Sequence, residues 1–410
     1  MLSRRRFLQN GAGAAGLSFL SMAATSPGFL AQAAEAADSA DQNDHVLVVL
    51  EMAGGNDGLN TVVPYKNPIY YRSRPTIALP KNDLHRIADD YGLHPRAGAL
   101  AELFKDGRLG IVQGVGYPEP DRSHFRSMEI WHTASTAMKA PSTGWLGRCL
   151  DAMPAEIRAE MPALAMANLV PQAMRSAIVS VPAIEQFDSS QYSEGALNLT
   201  SELTKKLTLK KRASGGPSSF ITEQAQAMYR AAERLRAAEA SYSSTVEYPE
   251  TVVGSRLQKV AKAMSADLGV RIFFVSQDGY DTHAAQADQH GELLHDLSDA
   301  LKAFLDDVDQ LGLGERVVVM AFSEFGRRVD ENASRGTDHG AASCMLLGGR
   351  PVRGGLVGSY PSLDKLDDGD LIFNTDFRSV YATLLDRWLG CASEPLLGAK
   401  YPQLELLSKA

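Results

Sequence analysis

Two short segments combine a carboxylate with an imidazole, the pair of side chains that binds transition-metal ions in many proteins. Asp281 and His283 are two positions apart, so both side chains point to one side of an extended chain, whereas the adjacent Asp338 and His339 project in opposite directions. Carboxylate with imidazole favours Zn²⁺ or Mn²⁺, while carboxylates and amides alone suit Ca²⁺ or Mg²⁺ better. The four residues predict a site for a divalent metal ion.

Each pair follows an apolar run that is typical of a buried strand. Val270–Val275 precedes the first pair, and Val317–Phe322 precedes the second. One Asp-x-His pair is more often a structural hydrogen bond than a metal site, but two pairs behind two buried strands favour a shared site. Ligands of open α/β sheets bind beyond the carboxyl ends of strands, so we predict that these two strands and the first strand of the chain, His45–Leu50, are neighbours and that their loops converge.

A glycine-rich loop adds a third group of candidate ligands. The apolar run His45–Leu50 predicts the first strand, and it leads into Gly54-Gly55-Asn56-Asp57-Gly58. Glycines there allow positive φ and close approach of the backbone to a ligand. Asp57 and Asn60 are therefore candidate ligands, although Asn-Asp-Gly is also common in plain turns.

Ser123 lies where a predicted strand, Leu109–Val112, passes into a predicted helix that opens near Arg122. The N-terminus of a helix presents free backbone N–H groups and a positive dipole end, which suit an alkoxide nucleophile and an anionic substrate. Serine is equally a common helix cap. Ser123 is thus a candidate nucleophile or only a cap.

The predicted elements describe an α/β protein with a mostly parallel central sheet and helices on both faces. Periodicity predicts further strands or extended segments at Ala163–Asn168, Ala177–Val181 and Met345–Leu347. It predicts helices at Leu100–Lys105, at Trp145–Ala152, at Thr222–Ala240, between Leu293 and Val308, and in a last helix that begins at Thr375 or Asp376.

The N-terminal segment predicts export rather than a part of the fold. Ser3–Leu8 matches the twin-arginine pattern, and the Gly/Ala-rich run from Gly11 to Ala24 is too short to span a bilayer. We predict a signal peptide over 1–36, recognition by the twin-arginine export machinery, and a periplasmic or secreted protein with no stable membrane anchor. Residues 37–410 are predicted to form a single domain with a polar insertion around 185–250.

Composition narrows the classes of partner. The chain is 44% hydrophobic and 22% charged with a net charge of -8, which is typical of a globular protein and argues against binding to nucleic acid. Three cysteines allow at most one disulfide within the chain, so the fold does not depend on a framework of cystines.

The order of the motifs resembles the family catalogued as domain of unknown function 1501. The motifs that carry the resemblance are the twin-arginine start, Gly54–Asn60, Arg122–Phe125, Tyr280–His283, Ser323–Arg327 with Gly336–Gly340, and Thr375–Arg378. That family is grouped with the alkaline phosphatase and sulfatase superfamily. The resemblance covers nearly the whole mature chain and implies an alkaline phosphatase-like fold and a metal-assisted attack on a phosphate or sulfate ester.

The resemblance also implies roles for individual residues and a substrate class. It implies a divalent ion, Zn²⁺ with Ca²⁺ or Mn²⁺ as alternatives, and a small-molecule or polysaccharide ester as substrate. Ser123 would be the nucleophile, and Glu324 would act as a base or orient a histidine. Charge on the ester oxygens would be neutralised by Arg122, Arg126, His124 or Arg327. An ion pair of Glu324 with Arg327 or Arg328 is the structural alternative. The implied metal ligands are Asp57, Asp281, His283, Asp338 and His339.

The chain also departs from the patterns of that superfamily. The two-zinc members carry Asp-x-x-x-His where this chain has Asp281-x-His283, and they have a further histidine downstream, whereas His339 is the last histidine here. The Cys-x-Pro-x-Arg motif of formylglycine sulfatases is absent. The alternative function is a non-catalytic binding protein of the envelope or of polysaccharides. A metal-free acyl hydrolase is a weaker alternative, because Ser123 lacks the Gly-x-Ser-x-Gly context.

Overall fold

The computed structural model describes residues 44–158, 161–184, 234 and 242–408. The predicted signal peptide 1–36, the helix predicted at Thr222–Ala240 and most of the predicted insertion 185–250 lie outside these residues. Val46–Ala410 forms one compact unit, and all the elements below belong to it.

The strands are short and mostly buried. They are β1 (Val46–Ala53), β2 (Val62–Val63), β3 (His85–Arg86), β4 (Gly92–Leu93), β5 (Leu109–Gly116), β6 (Ala163–Met166), β7 (Ile272–Asp278), β8 (Val317–Phe322), β9 (Ser343–Gly348), β10 (Gly355–Val357), β11 (Leu366–Asp367), β12 (Asp370–Leu371) and β13 (Thr375–Asp376).

The helices of the described residues lie between groups of these strands along the chain. They are α1 (Gly58–Thr61), α2 (Pro68–Ser73), α3 (Gly98–Lys105), α4 (His124–Thr133), α5 (Trp145–Ala152), α6 (Ala155–Arg158), α7 (Val252–Ser265), α8 (Gln286–Gln310), α9 (Phe377–Arg387) and α10 (Ser393–Leu397).

The main sheet has the order β10-β5-β9-β8-β1-β7-β6, with β13 paired to β5. β9 runs antiparallel to β5 and β8, and the other pairs in this sheet are parallel. β1 lies between β7 and β8, with Leu47 opposite Ile272 and Val46 opposite Val317. The prediction that these three strands are neighbours is therefore confirmed.

The alternation of side chains along β1 explains why both faces of the sheet are covered. Val48 and Leu50 point into a core cluster shared with α3, α7 and α8. Leu47 and Val49 point into a second cluster shared with α4, α5 and α9. The predicted fold class, α/β with a mostly parallel sheet and helices on both faces, is confirmed.

Some predicted elements differ from the structure. Ala177–Val181 forms bends rather than an extended segment, because its neighbour β6 is continued only by a single bridge from Ala165 to Ala183. The helix that begins after Asp376 is not the last one, since α10 follows it, and α7 was not predicted. Among the described helices, none combines the length and the apolar composition needed to cross a bilayer.

Candidate functional site

Two buried side chains join the loops that follow β1, β7 and β8 at one edge of the sheet. Glu324 accepts hydrogen bonds from the backbone N–H groups of Gly54 (3.0 Å) and Gly55 (3.1 Å). Arg327 donates to the carbonyl oxygens of Gly55 (2.7 Å) and Tyr280 (3.0 Å). These bonds satisfy backbone groups that would otherwise be buried without partners, and they hold the three loops together.

Two glycines are required where the loops touch. Gly54 has φ +122°, and a Cβ there would lie 2.4 Å from the backbone nitrogen of Asp281. A Cβ on Gly336 would lie 2.2 Å from the carbonyl carbon of His283. A larger residue at Gly54 would push the loop after β1 away from the loop that carries Asp281. A larger residue at Gly336 would push the loop that carries His339 away from His283.

The Oδ1 atom of Asp281 is the centre of a cluster of imidazoles. It lies 3.1 Å from Nε2 of His339, 3.2 Å from Nε2 of His283 and 3.5 Å from Nε2 of His124. The Nε2 atoms of His283 and His339 are 2.9 Å apart. The structure therefore brings Asp281, His283 and His339 together and adds His124, which the sequence placed among the catalytic residues rather than the ligands.

The other ring nitrogen of each histidine faces an acceptor. Nδ1 of His124 lies 2.8 Å from Oε1 of Glu324, and Nδ1 of His339 lies 2.8 Å from the carbonyl oxygen of Arg122. Nδ1 of His283 lies 3.3 Å from Oδ1 of Asp338. With the proton on Nδ1 of each ring, where these acceptors can receive it, each Nε2 would present its lone pair to the common centre.

This set of donor atoms fits a transition-metal ion. Three imidazole nitrogens and one carboxylate oxygen are ligands that Zn²⁺ and Mn²⁺ accept, and a carboxylate or carbonyl behind each ring is the usual support of a metal-binding histidine. The ligand atoms of His124, Asp281 and His339 all lie within 4.8 Å of one another. Nε2 of His124 is buried and has no hydrogen-bond partner among the described residues, so a cation at the centre would satisfy it.

Electrostatics keep the carboxylate of the cluster ionised. Burial raises the pKa of Asp281, but the hydrogen bond from Arg327 opposes burial, and the pKa is lowered to about 2. Burial lowers the pKa of His339. The hydrogen bond to Glu324 raises the pKa of His124.

The structure does not bring Asp57 into the cluster. Its Oδ2 accepts from Arg74 at 2.6 Å and from Gln286 at 2.5 Å, and its Oδ1 accepts from the N–H groups of Leu59 and Asn60 at the start of α1. The side chains of Asp57 and Arg74 are both fully buried. With these four bonds the carboxylate caps α1 and balances a buried guanidinium, so its oxygens are already occupied by donors.

Asp338 and Ser123 lie beside the cluster rather than in it. Asp338 accepts from Asn332 at 3.0 Å and faces the outer nitrogen of His283, so it orients that ring instead of sharing the centre. Ser123 directly precedes α4, as predicted, but its hydroxyl makes no capping hydrogen bond. It is exposed, and its backbone N–H donates to Asp121 at 2.8 Å.

Glu324 and Arg327 have different partners from those expected. No ion pair joins Glu324 to Arg327 or Arg328 among the described residues, because Glu324 faces His124 and Arg327 donates to Asp281 at 2.7 Å. The side chain of Arg327 has 0% exposure. Its guanidinium donates to Asp281 and to the loop carbonyl oxygens within the protein. It is not exposed to the cleft, so it cannot neutralise the charge of a substrate.

An open cleft of about 550 Å³ adjoins the cluster. Its lining includes four carboxylates and two apolar side chains, and no Lys or Arg of the described residues is among them. Phe125 stands at its edge with 92% exposure. The two large apolar side chains and the four carboxylates of the cleft are Phe125, Met128, Glu129, Asp278, Asp281 and Glu324.

Sequence reasoning missed the supporting residues more than the cluster itself. Arg74 and Gln286 belong to no recognisable motif, and the carbonyl of Arg122 has no side-chain signature. Gln286 donates to Asp57 and accepts from Thr337 at 2.6 Å, so it links the start of α8 to the loop that carries His339. Only its position directly after the Asp281 loop could have drawn attention to it.

Comparison with known proteins gives a family and a group of distant structures. The family described as "Protein of unknown function (DUF1501)" matches residues 44–387. A search of curated proteins found no match.

Three solved structures illustrate the structural similarity. The lipoteichoic acid synthase LtaP from Listeria monocytogenes is 8% identical, with 85% of this chain and 72% of that chain covered and a TM-score of 0.38. The PsFucS1 sulfatase from Pseudoalteromonas sp. is 11% identical, with 87% and 68% covered and a TM-score of 0.37. The alkaline phosphatase from the Antarctic bacterium TAB5 is 10% identical, with 74% and 90% covered and a TM-score of 0.32. At these scores the similarity carries no argument about activity.

Proposed function

The chain belongs to the DUF1501 family of proteins of unknown function, and we propose that it is an exported hydrolase that uses a divalent cation to cleave phosphate or sulfate esters. The observation that carries the proposal is the convergence of three Nε2 atoms on one oxygen of Asp281, each ring being held from behind by an acceptor. A purely structural hydrogen-bond network would not need three lone pairs at one point.

His124, His283, His339 and Asp281 would hold the cation in this proposal. Such a cation supplies Lewis-acid polarisation of an ester oxygen and offsets the negative charge that develops during attack. Glu324 and the Arg122 carbonyl keep two of the rings in the tautomer that offers Nε2. Zn²⁺ suits this donor set best and Mn²⁺ is the alternative, whereas Ca²⁺ prefers oxygen ligands.

Ser123 is the proposed nucleophile. Its hydroxyl has no hydrogen-bond partner among the described residues, it is exposed, and it precedes the N-terminus of α4 beside His124. The positive end of the helix dipole favours the alkoxide and the anionic ester. The oxygen of Ser123 would bond to the phosphorus or sulfur atom while the bond to the leaving alcohol breaks.

The cleft favours an ester whose remaining part is neutral, such as a sugar of a polysaccharide, over a densely anionic polymer. The lining has four carboxylates and no Lys or Arg of the described residues, although Arg327 pairs with Asp281 and Arg126 pairs with Glu129 from outside the lining. Binding of the ester group would therefore depend on the cation. The exposed ring of Phe125 offers an apolar face for the sugar.

Metal analysis together with an ester screen tests the proposal. Protein purified after export should carry about one divalent ion per chain and hydrolyse a phosphate or sulfate ester. His339→Ala should lose both, and Asp338→Asn should weaken metal affinity roughly 10–100-fold because it disturbs the support of one ligand. His295→Ala is the matched control, since His295 lies on α8 and pairs only with Asp299 at 3.4 Å.

Two results would overturn the proposal. One is a purified protein with far less than one divalent ion per chain that cannot be loaded with Zn²⁺ or Mn²⁺. The other is ester hydrolysis that His339→Ala or exhaustive chelation leaves unchanged, which would favour a metal-free hydrolase.

A second candidate is a non-catalytic binding protein of the envelope or of polysaccharides. The guanidinium of Arg327 lies 2.7 Å from Oδ1 of Asp281 and already compensates part of its charge. The described residues also supply one such cluster rather than the ligands of two ions. Binding of a polysaccharide with no turnover across a full set of esters would support this candidate, and turnover that depends on the metal would exclude it.

A further inference from the structure

Two cysteines far apart in the sequence meet beneath the face of the sheet that carries α4. Cys149 lies in α5, and Cys391 lies between α9 and α10. Their sulfur atoms are 2.9 Å apart although the residues are 242 positions apart. Non-bonded heavy atoms settle about 3.5–4.0 Å apart, whereas the sulfurs of a disulfide are about 2.05 Å apart, so the two thiols are packed at a distance between contact and bond.

The surrounding structure fixes this approach from both sides. The backbone N–H of Cys391 donates to the carbonyl oxygen of Leu385 at 2.8 Å. Arg148, the neighbour of Cys149 in α5, donates to the carbonyl oxygen of Leu396 in α10 at 2.6 Å. The two segments are thus held together independently of the sulfurs, and closing the short remaining gap needs little movement of the backbone.

We propose that Cys149 and Cys391 are a redox-active pair that forms a disulfide between α5 and the C-terminal segment, while Cys344 stays a free thiol. Cys344 lies buried in β9, and it is the one cysteine that no other cysteine contacts. The proposal rests on the positions of the sulfur atoms and is independent of the hydrolase proposed above.

The reaction is thiol–disulfide exchange with a disulfide of low molecular weight or of another protein. Cys391 retains 6% exposure against 0% for Cys149, and the hydrogen bond from the Cys149 thiol lowers the pKa of Cys391. The Cys391 thiolate would attack the external disulfide and release one thiolate. Cys149 would then attack the mixed disulfide and release the second. The two thiols lose two electrons and two protons, and the external disulfide leaves as two thiols.

Counting alkylated cysteines tests the pairing in the full chain. The protein is incubated with oxidised glutathione and unfolded in the presence of iodoacetamide, and its mass is measured by mass spectrometry. We expect one label, on Cys344, and a peptide in which Cys149 is joined to Cys391. Prior reduction should give three labels. Cys344→Ser is the matched control and should keep the joined peptide with no label.

A variant that lacks one cysteine of the pair should not form the joined peptide. Cys149→Ser should leave Cys391 as a glutathione adduct or a labelled thiol, because no second thiol is there to resolve it. A reductant should lower the midpoint of thermal unfolding of the wild type and of Cys344→Ser, since closure of a long loop constrains the unfolded chain, but should not change that of Cys149→Ser.

The proposal is wrong if the oxidised wild type still takes three labels, or if glutathione stays attached to Cys391 with Cys149 free. Because these measurements use the wild-type chain, they decide the question even where a serine variant folds poorly.

Discussion

Glu324 shows how one buried carboxylate supports both the architecture and the proposed chemistry. Its oxygens accept from the N–H groups of Gly54 and Gly55 and from the hydroxyl of Ser323, and they face Nδ1 of His124. The same side chain therefore holds the loop after β1 and determines which nitrogen of His124 faces the cluster. Charged hydrogen-bond networks of this kind are costly to break because every partner is left unsatisfied.

A buried histidine below the cluster makes stability depend on pH. His290 is 1% exposed, its Nε2 lies 2.9 Å from Oδ1 of Asn56, and its Nδ1 has no hydrogen-bond partner among the described residues. Burial lowers its pKa from 6.5 to about 4. Burial and the adjacent His290 also lower the pKa of His94 to about 3.

These two histidines should destabilise the folded state as the pH falls from about 6.5 to about 4. In that window the two histidine rings are protonated in the unfolded chain but stay neutral in the folded chain. The free energy of unfolding therefore decreases by a few kcal/mol. Above that range both states carry neutral rings and the effect vanishes. Urea unfolding at a series of pH values measures it.

His290→Gln should make this decrease shallower, because one of the two titrating rings is removed. His295→Gln is the control, since His295 lies five residues along the same helix with 45% of its side chain exposed. Equal slopes for wild type and His290→Gln would contradict the assignment of the effect to the buried ring.

At the scale of elements, the site depends on how closely the loop after β8 docks on the start of α8. The N–H of Ala285 donates to the carbonyl oxygen of Ser334 (3.0 Å), and that of Gln286 donates to the carbonyl oxygen of Arg335 (2.9 Å). Gly336 lies at this contact, against the backbone of His283. The distance between the two loops sets the distance between His283 and His339.

Gly336→Ala should therefore separate the two loops and disturb the geometry of the cluster. The added Cβ meets backbone atoms that cannot turn away, so we expect a loss of stability of about 1–3 kcal/mol or more and a weaker affinity for Zn²⁺. Thermal unfolding with and without Zn²⁺ measures both quantities.

Gly98→Ala is the matched control for this substitution. A Cβ at Gly98 would lie 3.5 Å from its nearest neighbour, a ring nitrogen of His85, and the residue begins α3. The control should change stability by no more than about 1 kcal/mol. Unaltered Zn²⁺ affinity in Gly336→Ala would show that the site does not depend on the spacing of these loops.

At the scale of the whole molecule, the predicted export signal lies in a different part of the sequence from the unit that carries the site. The twin-arginine pattern lies in Ser3–Leu8, and every residue of the cluster lies within Val46–Ala410. Twin-arginine export carries folded proteins, which would allow a cation to bind before the chain crosses the membrane. The proposed location is the periplasm or the exterior.

Replacing Arg4 and Arg5 together by lysine should stop export, because the export machinery reads the arginine pair rather than charge alone. The precursor should then accumulate inside the cell, as cell fractionation and immunoblotting would show. Arg6→Lys is the control, since Arg6 occupies the variable position of the pattern, and it should be exported normally. Export of the double variant at the wild-type level would exclude this route.

The sequence by itself determined the elements whose signal is local. The apolar run Val317–Phe322 is β8 residue for residue, and the predicted helix Trp145–Ala152 is α5, because strand burial and helical periodicity are encoded in neighbouring residues. The order of strands and polar loops also indicated where Asp281 and His339 would meet.

Only the tertiary structure decided which side chain contacts which partner. Asp57 lies in a glycine-rich loop of the kind that predicts a metal ligand. Its carboxylate instead accepts a hydrogen bond from Arg74, 17 residues away. His124 joins the cluster from the start of α4, Asp338 supports His283, and Cys149 meets Cys391 across 242 positions. Such choices depend on packing between distant segments, and no pattern within a short stretch of sequence encodes them.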